Sequence, residues 1–325
     1  MSTAENAKLE YEAGQQSTAM SALTDAGLST VFTSAAALWS GKTGAAPLVK
    51  PNGLLTGGAI SPNALADKID VAALTCNLQG VTTPVAASLA LTVARPATAV
   101  SRVSSITVNA AGAVVVVAGT DGATTAISET RGAAGGPPLI PVDSIEIGQV
   151  RVVSNVAAVL TTAQIYTVVG THVELATYPL YNINYDTGTV TFLSALPKIH
   201  TGALPKKVYA SYAAPIFAEV SLASDFTAPE TSHSVSSTQI YGTTLGSTSK
   251  SLGQGGFTAY LEDGVTDGLV AQKDALLWFR FYPDRFKTAN LLTQGKLGIA
   301  RTFPAGDSIK AVCTISATKT ATEVA

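Results

Sequence analysis

The longest apolar runs of this chain, such as residues 113–118, are no longer than a β-strand, and over long stretches apolar side chains return at every second position. In residues 87–94, Leu89, Leu91 and Val93 fall on one side and Ser88, Ala90 and Thr92 on the other, the repeat of a half-buried strand. The apolar excess comes from small and β-branched residues, with Ser and 28 Gly beside them, a mixture that suits strands and tight turns better than long helices. The constraint is therefore an all-β or mainly β chain, and its 325 residues allow about two domains.

Only 13% of the residues are charged, against about 25% in an ordinary soluble domain. The formal charge is −2, which gives no electrostatic reason for nucleic-acid or anionic-membrane binding. A mean hydropathy of +0.31 raises the question of a membrane, yet no window approaches the ~18 apolar residues of a spanning helix. The first residues lack a basic segment followed by an apolar one, so no secretory signal is expected. Cys76 and Cys313 stand far apart in strand-like contexts without metal spacing and read as buried thiols. A charge-poor surface of small residues is suited to being covered by other subunits.

Along the chain, residues 1–57 read as a Gly/Pro-punctuated arm with one short helix at 5–13. Strands are expected at 68–77, 87–94, 105–109 with 113–118 as a hairpin, 123–129, 144–153, 165–169, 172–176, a hairpin over 183–192, and 208–212. The Gly/Ser/Thr segment 242–256 reads as a loop ordered on contact with a partner. After a strand at 256–261, Asp267 is an N-cap candidate for a helix over 267–277. The aromatic strand from Trp278 to Tyr282 follows, with Phe279 and Phe281 opposite Trp278, Arg280 and Tyr282, and a hairpin over 296–317 closes the set.

Motifs that would carry chemistry are weak. Gly41-Lys42-Thr43 looks like the end of a phosphate-binding loop, but the first Gly of that motif is replaced by Ala36. His172, His200 and His233 are scattered and read as surface or loop histidines. No nucleophile elbow is present, and Glu262, Asp263 and Asp267 do not have calcium-loop spacing. Trp278–Tyr282 could stack a base or sugar but reads first as a core anchor, and Arg280 and Arg285 around Asp284 read as ion-pair partners before phosphate ligands. No catalytic, cofactor or metal residue is expected, and the chain reads as a non-enzyme.

The order helix, WFRFYPDR, then TQGKLGIARTFPAGDSIKAVCTISA over residues 267–317 resembles the C-terminal half of the tail tube proteins of long-tailed bacteriophages. The resemblance implies a β-sandwich or barrel with one flanking α-helix, six copies closing a ring, and rings stacking into a hollow conduit for genome DNA. It divides this chain into an N-terminal arm and first part of the tube core (1–79), an inserted β domain (80–213) and the rest of the core (214–325). It makes Trp278, Phe279, Phe281, Ile299 and Phe303 candidate core or ring anchors, and Ser247, Lys250 and Gln254 candidates for an inter-ring loop. The implied partners are copies of the chain, a tape measure and a tail terminator. DNA would pass without sequence-specific binding, in a virion tail assembled in the host bacterial cytoplasm. A capsid decoration or adhesin-like β module, and a carbohydrate-binding or enzymatic module, stay open as alternatives.

Overall fold

The computed structural model describes residues 5–325, and among them the chain is mainly β. No α-helix occurs among the described residues; two 3-10 turns, Thr162–Gln164 and Val270–Gln272, are the only helical pieces. Two compact units result, one from residues 1–17, 38–46 and 212–325, the other from 18–37 and 47–211. This division differs from the expected 1–79, 80–213 and 214–325 in the N-terminal arm, which contributes segments to both units.

The first unit is built on one antiparallel sheet in the order Ala223–Thr227, Gly255–Tyr260, Lys310–Ala317, Asn290–Thr302, Leu276–Tyr282, then the first part of Lys8–Ala22, to residue 17, and the last part of Val208–Glu219, from residue 212. The sheet curls round a single core. Phe226, on the first of these strands, stacks at 4.4 Å on Phe281, four strands away, and Phe257 lies 6.1 Å from Phe279 across two intervening strands. Residues 220–222 link the two ends of the sheet: Val220 N–H bonds Leu9 O at 2.8 Å and Tyr260 N–H bonds Leu222 O at 2.9 Å. Leu9, Tyr11, Leu277, Phe279, Leu297, Ala311, Cys313 and Ile315 fill the interior.

The alternation in the aromatic strand is realised as read. Phe279 points inward, whereas Trp278 lies on the other face, where its Nε1–H donates to Trp39 O at 2.8 Å and Trp39 stacks on Tyr212 at 4.8 Å. The buried Glu12 carboxyl accepts from Ser40 Oγ, from Gln15 Nε2 at 2.8 Å and from Trp278 N–H at 3.1 Å, so one side chain ties three segments together. The expected closing hairpin is present as Asn290–Thr302 with Lys310–Ala317, and Thr322–Val324 adds a short strand along Asn290–Leu292.

Both expected helices are corrected. Residues 5–13 lie largely in the strand Lys8–Ala22, because Leu9 and Tyr11 alternate with Lys8 and Glu10; the latter two pair on one face at 2.7 Å. At 267–277 the Asp267 carboxylate accepts N–H groups that precede it, from Glu262 at 2.9 Å and Gly264 at 2.8 Å, instead of capping a following helix. One 3-10 turn forms, Asp274 adopts a left-handed φ of 65°, and sheet pairing captures the rest: Asp274 N–H bonds Leu297 O and Leu297 N–H bonds Ala275 O. Strand pairing to two neighbours outweighs a cap on a short helix.

The second unit is a set of small antiparallel sheets over a largely aliphatic core of Ile69, Val71, Cys76, Ile106, Val108, Ile145, Ile147, Val150 and others, and a separate buried pair, Phe32 and Phe192, meets edge-on at 5.6 Å. The hairpin Arg102–Val108 with Val114–Ala118 forms as expected and pairs further with Ile145–Val152. The second expected hairpin is Tyr181–Asn184 with Thr189–Phe192. Residues 123–129 and 172–176 are not strands. The first is a loop pinned by Ser101, and the second makes isolated parallel bridges, from Leu175 to Leu54 and from Val173 to Val169. In the strand Ser88–Thr92 a register shift between Ser88 and Leu91, with Ala90 at φ 56°, turns Leu89 out to 72% exposure while Val93 stays buried. Cys76 and Cys313 are buried free thiols, and burial pushes them up to about 11 and about 12.

Candidate assembly surface

Within the first unit, residues 231–252 form one long hairpin, Thr231–Ile240 against Thr243–Leu252, in continuous register from Thr231↔Leu252 to Ile240↔Thr243. Ser, Thr and Val favour extended backbone, and the two-residue turn Tyr241-Gly242 closes it with Gly242 at φ 85°. Segment 242–256 is therefore not the expected loop but mostly the second strand of this hairpin: a Gly/Ser/Thr-rich composition that reads as low complexity is also compatible with pairing.

One face carries a ladder of hydroxyls, Ser232 with Ser251 at 2.8 Å, Ser234 with Ser249 at 2.6 Å and Ser236 with Ser247 at 2.7 Å, leading to Ile240 and Leu245 near the turn. The other face carries His233 opposite Lys250 and Val235 opposite Thr248. Nearly every residue is exposed, including Val235 at 77%, and Tyr241 at the tip is fully solvated. The paired part spans about 30 Å at the usual rise of about 3.4 Å per residue. A two-stranded hairpin that buries nothing is marginal in water, and its two edges present unpaired N–H and C=O groups to any further strand. Ser247 stands in the hydroxyl ladder, Lys250 on the opposite face, and Gln254 in the exposed segment beyond the hairpin.

Among the other expected site residues, Trp278 and Phe279 are fully buried, and Phe281 and Ile299 pack partly buried against the core. Phe303 is not a core anchor. It stands one residue beyond the end of its strand, 57% exposed, with its ring against Gly264 and the Arg301 guanidinium 6.0 Å from its centre. Arg280 lies over the Phe217 ring at 3.9 Å and 3.7 Å from Glu10, and Arg285 pairs Glu219 at 3.1 Å, so each arginine has a partner within the chain. Asp263 accepts the Thr266 hydroxyl and the Val265 and Thr266 N–H groups, which hold its carboxyl far below the usual range. It serves as a turn former, and no group of three or more potential metal ligands exists among the described residues.

The densest chemistry lies in the second unit and was not legible as a motif. The Glu146 carboxyl accepts from Arg131, from Ser105 Oγ and from Gln149 Nε2 at 3.1 Å, and Glu146 N–H donates to Glu174 Oε2 at 2.9 Å. Burial raises the pKa of Glu146 and Glu174, opposed by Arg131 at the first and by His200 and Lys206 at the second. His200, expected on the surface, is fully buried: its Nε2–H donates to Ser144 O at 3.0 Å, with Glu174 Oε2 3.7 Å away. His172 is likewise buried, its pKa lowered by desolvation and by Arg151, while His233 stands on the exposed hairpin. Glu174 is held in place by backbone. Leu54 N–H bonds Glu174 O at 2.7 Å and Ala176 N–H bonds Leu54 O at 2.9 Å, an approach so close that a Cβ on Gly53 would lie 2.4 Å from Ala176 N. The cavity beside this cluster has room of about 20 Å³, enough for a water molecule and far below the ~300 Å³ of a small-molecule pocket.

The chain matches no protein-family model and no curated protein.

Proposed function

We propose that this chain is a structural subunit that acts by assembling with copies of itself, and that its assembly is a tail tube of the kind found in long-tailed bacteriophages: stacked rings, six copies to a ring, enclosing a conduit for DNA. The single observation that carries this reading is the hairpin of residues 231–252, which extends ten residue pairs with no core beneath it and ends in an exposed Tyr241. Such an element gains stability when a second chain covers its apolar tip or pairs its edges. The low charge and the curled sheet of the first unit agree with a wall that lets DNA slide past without gripping phosphates. Tape-measure and terminator proteins are the further partners this reading implies, and a virion tail is the implied location.

Negative-stain electron microscopy of the full chain over a range of concentrations tests it. Rings and hollow stacks are expected, and a variant lacking residues 232–251 should remain folded but fail to stack. Compact monomers or trimers at every concentration would overturn the tube and favour a capsid decoration or adhesin-like module. Saturable binding of one sugar by the folded chain would point to a binding module.

A further inference from the structure

The buried charges of the second unit leave two valences open at residues that line the same cavity. Lys206 is 2% exposed, and its ammonium donates to Leu175 O at 2.6 Å and Tyr178 O at 2.8 Å, which uses two of its three N–H groups. Glu174 is 7% exposed; its Oε2 accepts the Glu146 N–H, whereas its Oε1, buried, accepts from no protein donor. Both residues line the cavity of about 20 Å³, together with Glu146, Thr171, Tyr178 and Ile199, yet they form no direct ion pair. A cavity of about this size, with polar groups on its walls, is what one internal water requires. A buried carboxylate oxygen without a donor and a buried ammonium with a spare proton are each unfavourable alone, and one molecule that both accepts and donates satisfies the two together.

We propose that this cavity is a binding site for a single internal water molecule, which accepts the third N–H of Lys206 and donates to Glu174 Oε1. The water thereby links the segment around Lys206 to Glu174, which the Leu54 backbone and the Glu146 N–H already fix. A metal cation fits poorly, since an ammonium group lines the cavity and no cluster of three acidic, His or Cys ligands exists among the described residues.

A crystal structure of the full chain at a resolution that orders water is the direct test. The expected result is one density peak within hydrogen-bond distance, about 2.7–3.2 Å, of both Lys206 Nζ and Glu174 Oε1. An empty cavity, a direct Lys206–Glu174 contact, or a peak with several oxygen ligands at about 2.4 Å, the distance of a cation, would each overturn the proposal. Oxygen-17 relaxation dispersion supplies a second reading in solution. The number of long-lived internal waters should fall by one in Lys206→Met. An unchanged number in a folded Lys206→Met would overturn it; if that variant does not fold, the wild-type crystal structure decides.

Discussion

The two units solve the same problem, a charge-poor β chain, with different materials. The first wraps one sheet round a core that includes Tyr11, Phe257 and Phe279, and its interior polar groups are few: Glu12, Ser40 and Thr293. The second has a main core that is aliphatic, with its buried Phe pair, Phe32 and Phe192, set apart from it, and places Ser104, Ser105, Thr107, Glu146, Glu174, His200 and Lys206 inside. An aromatic side chain buries about 150–250 Å², so a few of them hold a curled sheet together from across its interior. Val, Ile and Leu supply less area per residue than the rings do, and where several small sheets meet, ordered ionic and hydroxyl groups take over part of the joining. Packing errors are the weakness of the first unit. Loss of a charge partner is the weakness of the second.

The sharpest way to break the first half of that comparison is Phe279→Ala. Phe279 is fully buried and meets Phe257 across the interior, so its loss opens a cavity that the curled sheet cannot close. We expect about 4 kcal/mol of destabilisation, read by hydrogen exchange in the strands of the first unit; a cost below about 1 kcal/mol would mean that the ring is not an anchor.

The corresponding break in the second unit is Arg131→Met, which leaves the Glu146 carboxylate buried without its cation. A loss of about 3 kcal/mol is expected, and Glu146→Gln in the same chain should restore much of it, because the amide oxygen still accepts from Ser105 and Gln149. The pH dependence has a definite sign. Burial already raises the folded pKa of Glu146 above its unfolded value, and removing Arg131 raises it further. The variant's deficit should therefore be smallest below about pH 4 and grow as pH rises through the raised value. A deficit that is independent of pH would show that lost packing, not charge, is what Arg131 contributes.

Lys206 sharpens the same point with an effect of similar size. Desolvation lowers its pKa from 10.5 to about 8, so between those values the unfolded chain holds the proton more firmly than the folded one. Stability of the second unit should rise with pH across that window, by about 3 kcal/mol, and Lys206→Met should abolish the rise. Denaturation at a series of pH values checks this; equal slopes in the two proteins would mean that Lys206 does not titrate in the fold.

How much of this was legible in the sequence follows from the same contrast. Regular alternation, as in Trp278–Tyr282 and in residues 311–315, shows both a strand and its inward face, because a period of two has one structural meaning. Local signals failed where pairing overrode them. Asp267 has the form of an N-cap, but Asp274 and Ala275 pair with Leu297, and Leu276 and Leu277 are taken into a strand. Leu9 and Tyr11 follow the period-two rule inside a segment that also suits a short helix. The buried ionic cluster could not be read at all. Its members, Ser105, Arg131, Glu146, Glu174, His200 and Lys206, are spread over about a hundred residues, and only the meeting of distant strands and loops brings them together. The hairpin of 231–252 was obscured for the opposite reason, since its pairing is local but its composition imitates a flexible linker.

That hairpin belongs to neither style of core, and it gives the smallest expected effect on the isolated chain. Ser234→Ala with Ser249→Ala removes one rung of a ladder whose hydroxyls are exposed and can bond water when unpaired. The change in stability should stay within about 0.5 kcal/mol by chemical denaturation, as for other surface positions. If the hairpin is an assembly element, the same pair should weaken self-association more than it alters unfolding, because contact with a second chain is where these hydroxyls would lose water. Sedimentation of the variant and wild type at matched concentrations separates the two quantities. A stability loss well above 0.5 kcal/mol would mean that the ladder supports the subunit's own fold, and the argument that the hairpin exists for a neighbour would lose its main physical ground.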